Sequence, residues 1–352
     1  MKRSAVLTFL LLLSFVLISS LNVKLVDAES RTIVVPDDYS SIQEAVDAAE
    51  VGDAVFVKSE TYYEHLNITK SLTLIGEDRA TTIIDGGKTG AVINITHDWV
   101  NISGFTIKNS GGEADFGEAS ILLNNVNYCN VSGNRIDGSR HGIMVMGSSR
   151  NIIENNTLVS NRVGIYVITG AWSANSNNNN VTGNTIYSNS WGISVYRENN
   201  NTFSYNDLNG NQYGIVLDES HMHNFVGNNI IGSKIGITLN YANDNTFYQN
   251  NIINNIKDVN DIHFLDQADL TPLSKNNWDN GSIGNYWSNY TGEDSNGDGI
   301  GDTPHIIHKN TQDNYPLMKQ YIIPEFPSWT IVVLLIVALM LVTVAYRKTL
   351  IR

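Results

Sequence analysis

The sequence predicts an all-β protein, a right-handed parallel β-helix with about 22 residues per coil, and two series of residues carry this prediction. Gly-Ile pairs begin at Gly142, Gly164, Gly192, Gly214 and Gly236. Asparagines recur in the same rhythm at Asn134, Asn156, Asn184, Asn206, Asn228 and Asn250. Both series advance by 22 residues and lengthen to 28 at the same step, so one repeat with one insertion explains both.

Each repeat contains short apolar alternations such as Ile143-Met-Val145, which are typical of strands and too short for helices. One repeat cannot bury its apolar side chains alone, so stacked repeats would pair their strands in parallel at about 4.8 Å. The prediction places one isoleucine of each coil in an internal column: Ile143, Ile165, Ile193, Ile215 and Ile237. It places the asparagines at a corner, in left-handed backbone conformation, with amides bonded along the axis.

Composition limits the function. Charged residues make up 16% of the chain, and 22 basic against 35 acidic residues give a net charge of −13. Because such a surface repels phosphate backbones, nucleic acid is not an expected partner. The single cysteine, Cys129, lies in an apolar stretch and is expected in the core, so stability must come from packing or metals.

An open coil end exposes strand edges and needs a cover. Residues 40–49 predict a short amphipathic helix that covers the N-terminal end, with Ser40 or Ser41 as N-cap. Its apolar face is Ile42, Ala45, Val46 and Ala49.

Residues 35–46 (VPDDYSSIQEAV), 52–57 (GDAVFV) and 61–64 (TYYE) resemble the opening of pectin-lyase-like β-helix proteins. Together with the Gly-Ile and Asn repeats, they resemble the NosD-type subgroup in particular, over about residues 31–318. This resemblance implies the β-helix fold. Because NosD is associated with copper-site maturation, it also implies copper handling as an alternative function, with His221-Met222-His223 as the candidate ligands.

The two ends of the chain predict export and anchoring. Residues 1–28 are typical of a signal peptide, with a basic start, an apolar run and small residues before the cut. Residues 329–346 predict a transmembrane helix, and the basic tail at 347–352 places its far end in the cytoplasm. The ectodomain would therefore lie at the cell surface, with the membrane as a partner.

Between these ends the predicted organisation is a β-helix over 29–275, a C-terminal cap over 276–320 and a linker over 321–328. The linker contains Pro324-Glu325-Phe326 and resembles the sorting tail of archaeal surface proteins. That resemblance implies removal of the helix by a sortase-like enzyme. The alternative is a permanent anchor with a proline-stiffened linker.

The acidic loop at 294–302 is the strongest candidate metal site. Its expected calcium ligands recur at alternate positions and include one backbone carbonyl: Asp294, Asn296, Asp298, Ile300 and Asp302. This alternation of oxygen ligands with glycines is the one that calcium loops use. The calcium would be structural and would hold the cap. The alternative is an acidic turn that binds no specific ion.

Three functions remain open. The first is a non-enzymatic surface protein that binds carbohydrate or cell-envelope components, with aromatic candidates at Trp172, Tyr187, Trp191, Tyr196 and Tyr213. The second is a polysaccharide lyase or hydrolase, which needs paired carboxylates or a carboxylate with a cation on one face. The third is copper handling. The sequence places no catalytic residue, although Arg140-His141 is similar to part of a hydrolase motif.

Nine Asn-X-Ser/Thr motifs make the chain a candidate glycoprotein: Asn67, Asn94, Asn101, Asn130, Asn155, Asn180, Asn200, Asn280 and Asn289.

Overall fold

A computed structural model describes residues 30–111, 117–170, 175–262, 274–308 and 311–322. Contacts divide the chain into residues 1–31 and residues 32–352, and every element described below belongs to the second part. The predicted signal peptide, transmembrane helix and cytoplasmic tail lie outside the described residues. Within those residues no helix has both the length and the apolar character to cross a membrane.

The described residues form one helix and 31 strands. The helix α1 spans Ile42–Ala48. The strands of the first half are β1 (Thr32–Val35), β2 (Ala54–Val57), β3 (Thr61–Tyr62), β4 (Leu66–Ile68), β5 (Thr73–Gly76), β6 (Ile83–Asp85), β7 (Ile93–Ile95), β8 (Asn101–Ser103), β9 (Thr106–Lys108), β10 (Ala119–Asn124), β11 (Asn130–Ser132), β12 (Arg135–Asp137), β13 (His141–Met146), β14 (Ile152–Glu154), β15 (Thr157–Val159) and β16 (Val163–Ile168). Those of the second half are β17 (Asn180–Thr182), β18 (Thr185–Tyr187), β19 (Trp191–Tyr196), β20 (Thr202–Ser204), β21 (Asp207–Asn209), β22 (Tyr213–Asp218), β23 (Asn224–Val226), β24 (Asn229–Ile231), β25 (Ile235–Asn240), β26 (Thr246–Tyr248), β27 (Asn251–Ile253), β28 (Lys257–Asp261), β29 (Tyr286–Trp287), β30 (His305–His308) and β31 (Thr311–Asp313).

Three long parallel sheets contain all but the last two of these strands, as expected for a right-handed parallel β-helix. Sheet A has the order β1-β2-β5-β8-β11-β14-β17-β20-β23-β26, and sheet B the order β3-β6-β9-β12-β15-β18-β21-β24-β27-β29. Sheet C has the order β4-β7-β10-β13-β16-β19-β22-β25-β28 and contains the six-residue strands. Each coil therefore contributes one strand to each sheet, and every strand pairs with the coils before and after it.

The interior confirms the predicted isoleucine column. Ile143 pairs in register with Ile165, and the series continues through Ile193 and Ile215 to Ile237, all fully buried. A second column stacks aromatic rings, with centroids 4.8 Å apart for Phe203 and Phe225. Such side chains give the coils a continuous core that no single repeat could form.

The asparagine column also forms, but with a different backbone from the one predicted. The Asn206 amide oxygen accepts the Asn184 N–H at 3.0 Å, and its nitrogen donates to the Val181 carbonyl at 2.9 Å. The prediction of left-handed conformation at these asparagines is wrong, because the positive φ falls on the residue before, as at Asn155 (54°) and Tyr205 (57°). The sharp turn there directs the next side chain inward, where its amide satisfies buried backbone groups.

Both ends of the stack are covered. Helix α1 has Ser41 as N-cap and buries the predicted apolar face, Ile42, Ala45, Val46 and Ala49. At the other end the short strand β29 pairs with β27, so coil structure continues into the region predicted as the C-terminal cap. Trp278 and Trp287 are buried there.

Candidate functional site

The outer face of sheet C carries three columns of side chains in strict register. The first column contains His141, Val163, Trp191 and Tyr213, each just before the glycine of a Gly-Ile pair. A Cβ atom on Gly192 would come within 2.6 Å of the Gly214 carbonyl oxygen, so only glycine fits at this close approach of coils.

The middle and last columns complete the surface. Tyr166, Ser194 and Val216 are neighbours in the middle column, and Ile168, Tyr196 and Asp218 in the last. Ser194 is the smallest of these side chains, and it lies between larger neighbours on both adjacent strands. The face is therefore lowest at Ser194, with Trp191 and Tyr196 on the two sides of it on the same strand.

Two clefts open on this face, and Trp191 lines both of them. The first has a volume of about 330 Å³ and is lined by Arg140, His141, Arg162, Val163, Tyr166, Ile168, Trp191 and Tyr196. The second has about 300 Å³ and is lined by Trp191, Tyr213, Val216, Asp218, Thr238, Asn240 and Ile262. We call this surface the Trp191 cleft. Its two halves follow one another along the stack of coils.

The first half of the Trp191 cleft gathers polar groups of four kinds. Arg140 Nε lies 3.8 Å from the Glu118 carboxylate, and both side chains are mostly buried. His141 Nδ1 is 3.0 Å from the Glu118 carbonyl oxygen, which can only accept, so this nitrogen carries a proton. The His141 ring stacks on Tyr166 with centroids 5.3 Å apart. Arg162 is exposed, and no carboxylate of the described residues pairs with it.

The second half ends in a carboxyl group instead of cations. Asp218 Oδ1 accepts a hydrogen bond of 2.7 Å from Asn240 Nδ2. Burial raises the pKa of Asp218, and the negative charge of the neighbouring Glu219 adds to the shift. Next to it, Arg197 lies 4.9 Å above the Tyr196 ring and forms two bonds of 2.9 Å with Glu219. The Trp191 cleft is therefore cationic at one end and acidic at the other.

The structure brings together three of the five predicted aromatic residues. Trp191, Tyr196 and Tyr213 line the cleft, whereas Tyr187 belongs to sheet B, with its hydroxyl 3.5 Å from Arg135. Trp172 lies outside the described residues. Sequence reasoning missed His141, Arg162 and Tyr166 as cleft residues. For His141 and Tyr166 the signal was available, because the residue before each Gly-Ile pair belongs to one column and the residue after the isoleucine to the next, whereas Arg162 belongs to neither column.

The acidic loop at 294–302 is exposed over most of its length, and its carboxylates bind backbone N–H groups. Asp294 accepts from Gly297 at 2.7 Å and from Gly299 at 2.9 Å. Asp298 accepts from Ile300, and Asp302 from Ser295, both at 2.9 Å. Asn296 accepts from the Asp298 N–H. These bonds hold the five predicted ligands in one tight loop. Among the described residues, no group of three or more His, Cys, Asp or Glu side chains is arranged to hold a metal ion.

The His221-Met222-His223 segment, named above as the candidate copper ligands, lies in the turn between β22 and β23. Met222 has a positive φ of 57° and is 49% exposed, while His223 is fully buried. His223 Nδ1 accepts the Asn201 N–H at 3.0 Å, and His223 donates its own N–H to Asn245. It therefore takes the place of an asparagine in a second side-chain ladder of the interior. His221 Nδ1 accepts from the Asn243 N–H instead.

The successive coils and the order of the three parallel sheets define this chain as a parallel β-helix protein. The chain belongs to the NosD family, whose model, described as periplasmic copper-binding protein (NosD), matches residues 47–292. No curated protein sequence matches the chain.

Several solved structures share the fold of this chain. The chain is similar to XylC in complex with xylose (10% identity, TM-score 0.54), covering 63% of this chain and 65% of that one. It is similar to the catalytic unit of a GH87 α-1,3-glucanase from Streptomyces thermodiastaticus (16% identity, TM-score 0.53; 64% and 47% covered). A PL6 family alginate lyase, AlyGC, matches with 15% identity and TM-score 0.49 (64% and 35% covered). The chain thus spans about a third to two thirds of these proteins' lengths, and the likeness shows the fold alone.

Proposed function

We propose that this chain is an exported, non-enzymatic β-helix protein that binds a polysaccharide along the Trp191 cleft. One observation carries the proposal: Trp191 lies at the junction of two clefts that follow one another along the same sheet face. A Trp ring flanked by Tyr196 and Tyr213 offers apolar faces beside polar groups, which suits sugar rings with their apolar faces and hydroxyl edges.

The direction of the cleft favours a polymer over a single sugar. Trp191 and Tyr213 are register partners on adjacent coils, so the aromatic edge runs along the stack at about 4.8 Å per coil. A chain of sugars lying along this edge would meet Arg162 at one end and Asp218 at the other. Arg162, which pairs with no carboxylate of the described residues, favours a polymer that carries carboxylates.

The first experiment is a binding titration of the protein with soluble neutral and uronic-acid polysaccharides. We expect Trp191→Ala to weaken binding at least about tenfold, which corresponds to about 1.4 kcal/mol, since large aromatics dominate such interfaces. Tyr63→Ala is the matched control, because Tyr63 is 78% exposed and far from the cleft in sequence and sheet. Equal affinities for all three proteins would overturn the proposal.

A second candidate function, polysaccharide cleavage, has its own observation. Glu118, Arg140, His141 and Tyr166 place a carboxylate, a guanidinium, an imidazole and a phenol at one end of the Trp191 cleft. These are the groups that acid–base catalysis uses. New reducing ends or unsaturated sugars released by the wild-type protein, and not by His141→Ala, would replace the binding proposal with this one.

Copper handling, which the family description suggests, does not fit the described residues. His221 and His223 both accept backbone N–H bonds through Nδ1, and His223 is buried among Phe203 and Phe225. The Nδ1 atoms of both rings are therefore already occupied, and Met222 between them has a left-handed backbone, not that of an extended strand. Copper chemistry is accordingly no part of the proposal.

We propose structural calcium in the loop at 294–302, supported by the spacing of its oxygen ligands. Calcium would have to replace the bonds that Asp294, Asp298 and Asp302 make to backbone N–H groups. Calorimetric titration should show one site, lost in Asp298→Ala, and chelator should lower the melting temperature of the wild type only. Absence of binding would leave the loop as an acidic turn.

The proposal places the β-helix outside the cell, anchored by the helix predicted at 329–346. Support comes from the sequence of both ends and from the periplasmic description of the family. Membrane fractionation of the full chain, with protease added to intact cells, tests it. Digestion of the ectodomain in the membrane fraction is expected, whereas a protected protein would contradict export.

A further inference from the structure

A second exposed aromatic cluster lies away from the Trp191 cleft, at the corner that leads from sheet C into sheet A. The rings of Trp99 and Tyr128 stack with centroids 4.4 Å apart and planes 10° apart. Arg150 lies 5.8 Å above the Tyr128 ring. Trp99 is 58% exposed and Tyr128 41%, so one face of Trp99 meets Tyr128 and much of the remaining ring meets solvent.

The backbone makes these aromatics costly at this position. From Trp99 onward this corner carries a left-handed residue in successive coils, which is Asn178, Asn200 and Asp244 in three later coils and Arg150 and Met222 in two others. Asparagine and aspartate adopt this conformation readily, whereas bulky side chains are strained in it. Trp99 (φ 62°) and Tyr128 (φ 59°) nevertheless occupy the same corner.

Beside the rings lies an acceptor for a sugar. Asn101 stands two residues after Trp99 and begins the motif Asn101-Ile-Ser103. Trp99 and Asn101 line one cleft of about 260 Å³, together with Tyr128, Cys129, Asn130, Arg150 and Ile152. At about 30 Å³ per water this is the space of roughly nine waters, which admits one pyranose ring. Asn101 is exposed, and its Nδ2 makes one long hydrogen bond of 3.3 Å, to Thr73 Oγ1.

We propose that Asn101 is N-glycosylated and that the first sugar of the glycan packs against the Trp99 ring. The inference rests on the export included in the proposed function. The sugar donor is a lipid-linked sugar phosphate. In the transfer step a bond forms between Asn101 Nδ2 and C1 of the sugar, while the bond between C1 and the phosphate oxygen of the donor breaks. The phosphate leaves with the electron pair, and the amide loses one proton.

The chain contains a matched control for this site. Asn180 begins strand β17 of the same sheet and is exposed, and its motif is Asn180-Val-Thr182. Its column in sheet A is the one that contains Asn101 and Asn130. Two residues before it, however, the left-handed corner holds Asn178 instead of an aromatic ring. Asn130 is less suitable, because its Nδ2 lies 3.5 Å from Glu154 and the residue is only partly exposed.

The first test is glycopeptide mass spectrometry on the full chain, expressed in secretory cells that attach N-glycans. We expect a glycan on the peptide containing Asn101, and none there in Ser103→Ala. An unmodified Asn101 beside modified sequons elsewhere overturns the proposal. A chain that stays inside the cell overturns both this proposal and export. Polysaccharide binding at Trp191 is measured in a separate experiment, so an absence of binding there does not affect the interpretation of the glycopeptide result.

The second test separates packing of the sugar from simple attachment. Ser103→Ala, which removes the glycan, should lower the melting temperature by about 1–3 °C. Asn180→Gln, which removes the control motif and keeps the hydrogen bond between Ser204 and Thr182, should leave it unchanged. In a Trp99→Leu background, which keeps the motif, Ser103→Ala should no longer have an effect. Equal shifts for Ser103→Ala in both backgrounds would show that the glycan does not rest on Trp99.

Discussion

The buried acid Glu198 makes the stability of this protein dependent on pH. It occupies a column of serines in the interior, where its Oε2 accepts the Ser176 N–H at 2.8 Å, and it is fully buried. Its Oε1 has no hydrogen-bond partner among the described residues. Burial raises the pKa of Glu198 to about 7, because the charged form loses its hydration.

The sign of the effect follows from this shift. Between about pH 4.5 and pH 7 Glu198 stays protonated in the folded protein but loses its proton in the unfolded chain. The free energy of unfolding therefore falls as the pH rises through this range. Glu198→Gln keeps the shape without the charge. We expect Glu198→Gln to raise the free energy of unfolding, compared with the wild type, by about 3 kcal/mol more at pH 8 than at pH 4. Denaturant unfolding at both pH values measures this difference.

The control is Glu219→Gln on the next coil. Arg197 lowers the pKa of Glu219 through a charged hydrogen bond, so this substitution should be slightly unfavourable at pH 8 and neutral at low pH. If Glu198→Gln had the same effect at both pH values, the buried acid would not titrate in this range.

The asparagine ladder is the element that fixes the coils to one another. Asn206 accepts from the N–H and the amide of Asn184, and donates to the Val181 carbonyl and the Asn228 amide oxygen. Asn206→Ala would leave the buried Asn184 N–H without its acceptor and would remove the hydrogen bonds to Val181 and Asn228. We therefore expect a loss of about 2–4 kcal/mol in the free energy of unfolding.

Asn209→Ala provides the comparison on the same coil, since Asn209 is exposed and ends strand β21. Its cost should stay below about 0.5 kcal/mol. Similar losses for both substitutions, measured by urea unfolding, would mean that the ladder adds little beyond the general polarity of the turns.

These elements were predictable from sequence to different degrees. The isoleucine and asparagine columns followed from spacing alone, because stacked coils place residues one repeat apart side by side. The left-handed residue did not, since Gly133, Asn155 and Tyr205 share no residue type at that position. The Trp191 cleft was predictable only in part. Its aromatic residues were candidates from the sequence, but Arg162 and Tyr166 were recognised as cleft residues only from the strand register that places them beside Trp191.

At the scale of the whole molecule, the C-terminal end of the stack is closed by one carboxylate. Asp313 is fully buried, and it accepts hydrogen bonds from Asn285 N–H at 2.7 Å and Trp287 Nε1 at 2.9 Å. It thereby ends the asparagine ladder, in which Asn285 is the last amide. Burial raises the pKa of Asp313 to about 6, although these hydrogen bonds favour its charged form.

Because each coil contacts only its neighbours, loss of this closure should act locally. Asp313→Ala leaves two buried donors without an acceptor, so the last coils should open more often while distant coils stay protected. Amide hydrogen exchange should accelerate in β27 and β29 and remain unchanged in β5 and β8. Asp279→Ala, which removes exposed bonds to Asn314, is the control and should change neither region. Faster exchange throughout the chain would instead mean that the coils unfold as one cooperative unit, with Asp313 stabilising all of them.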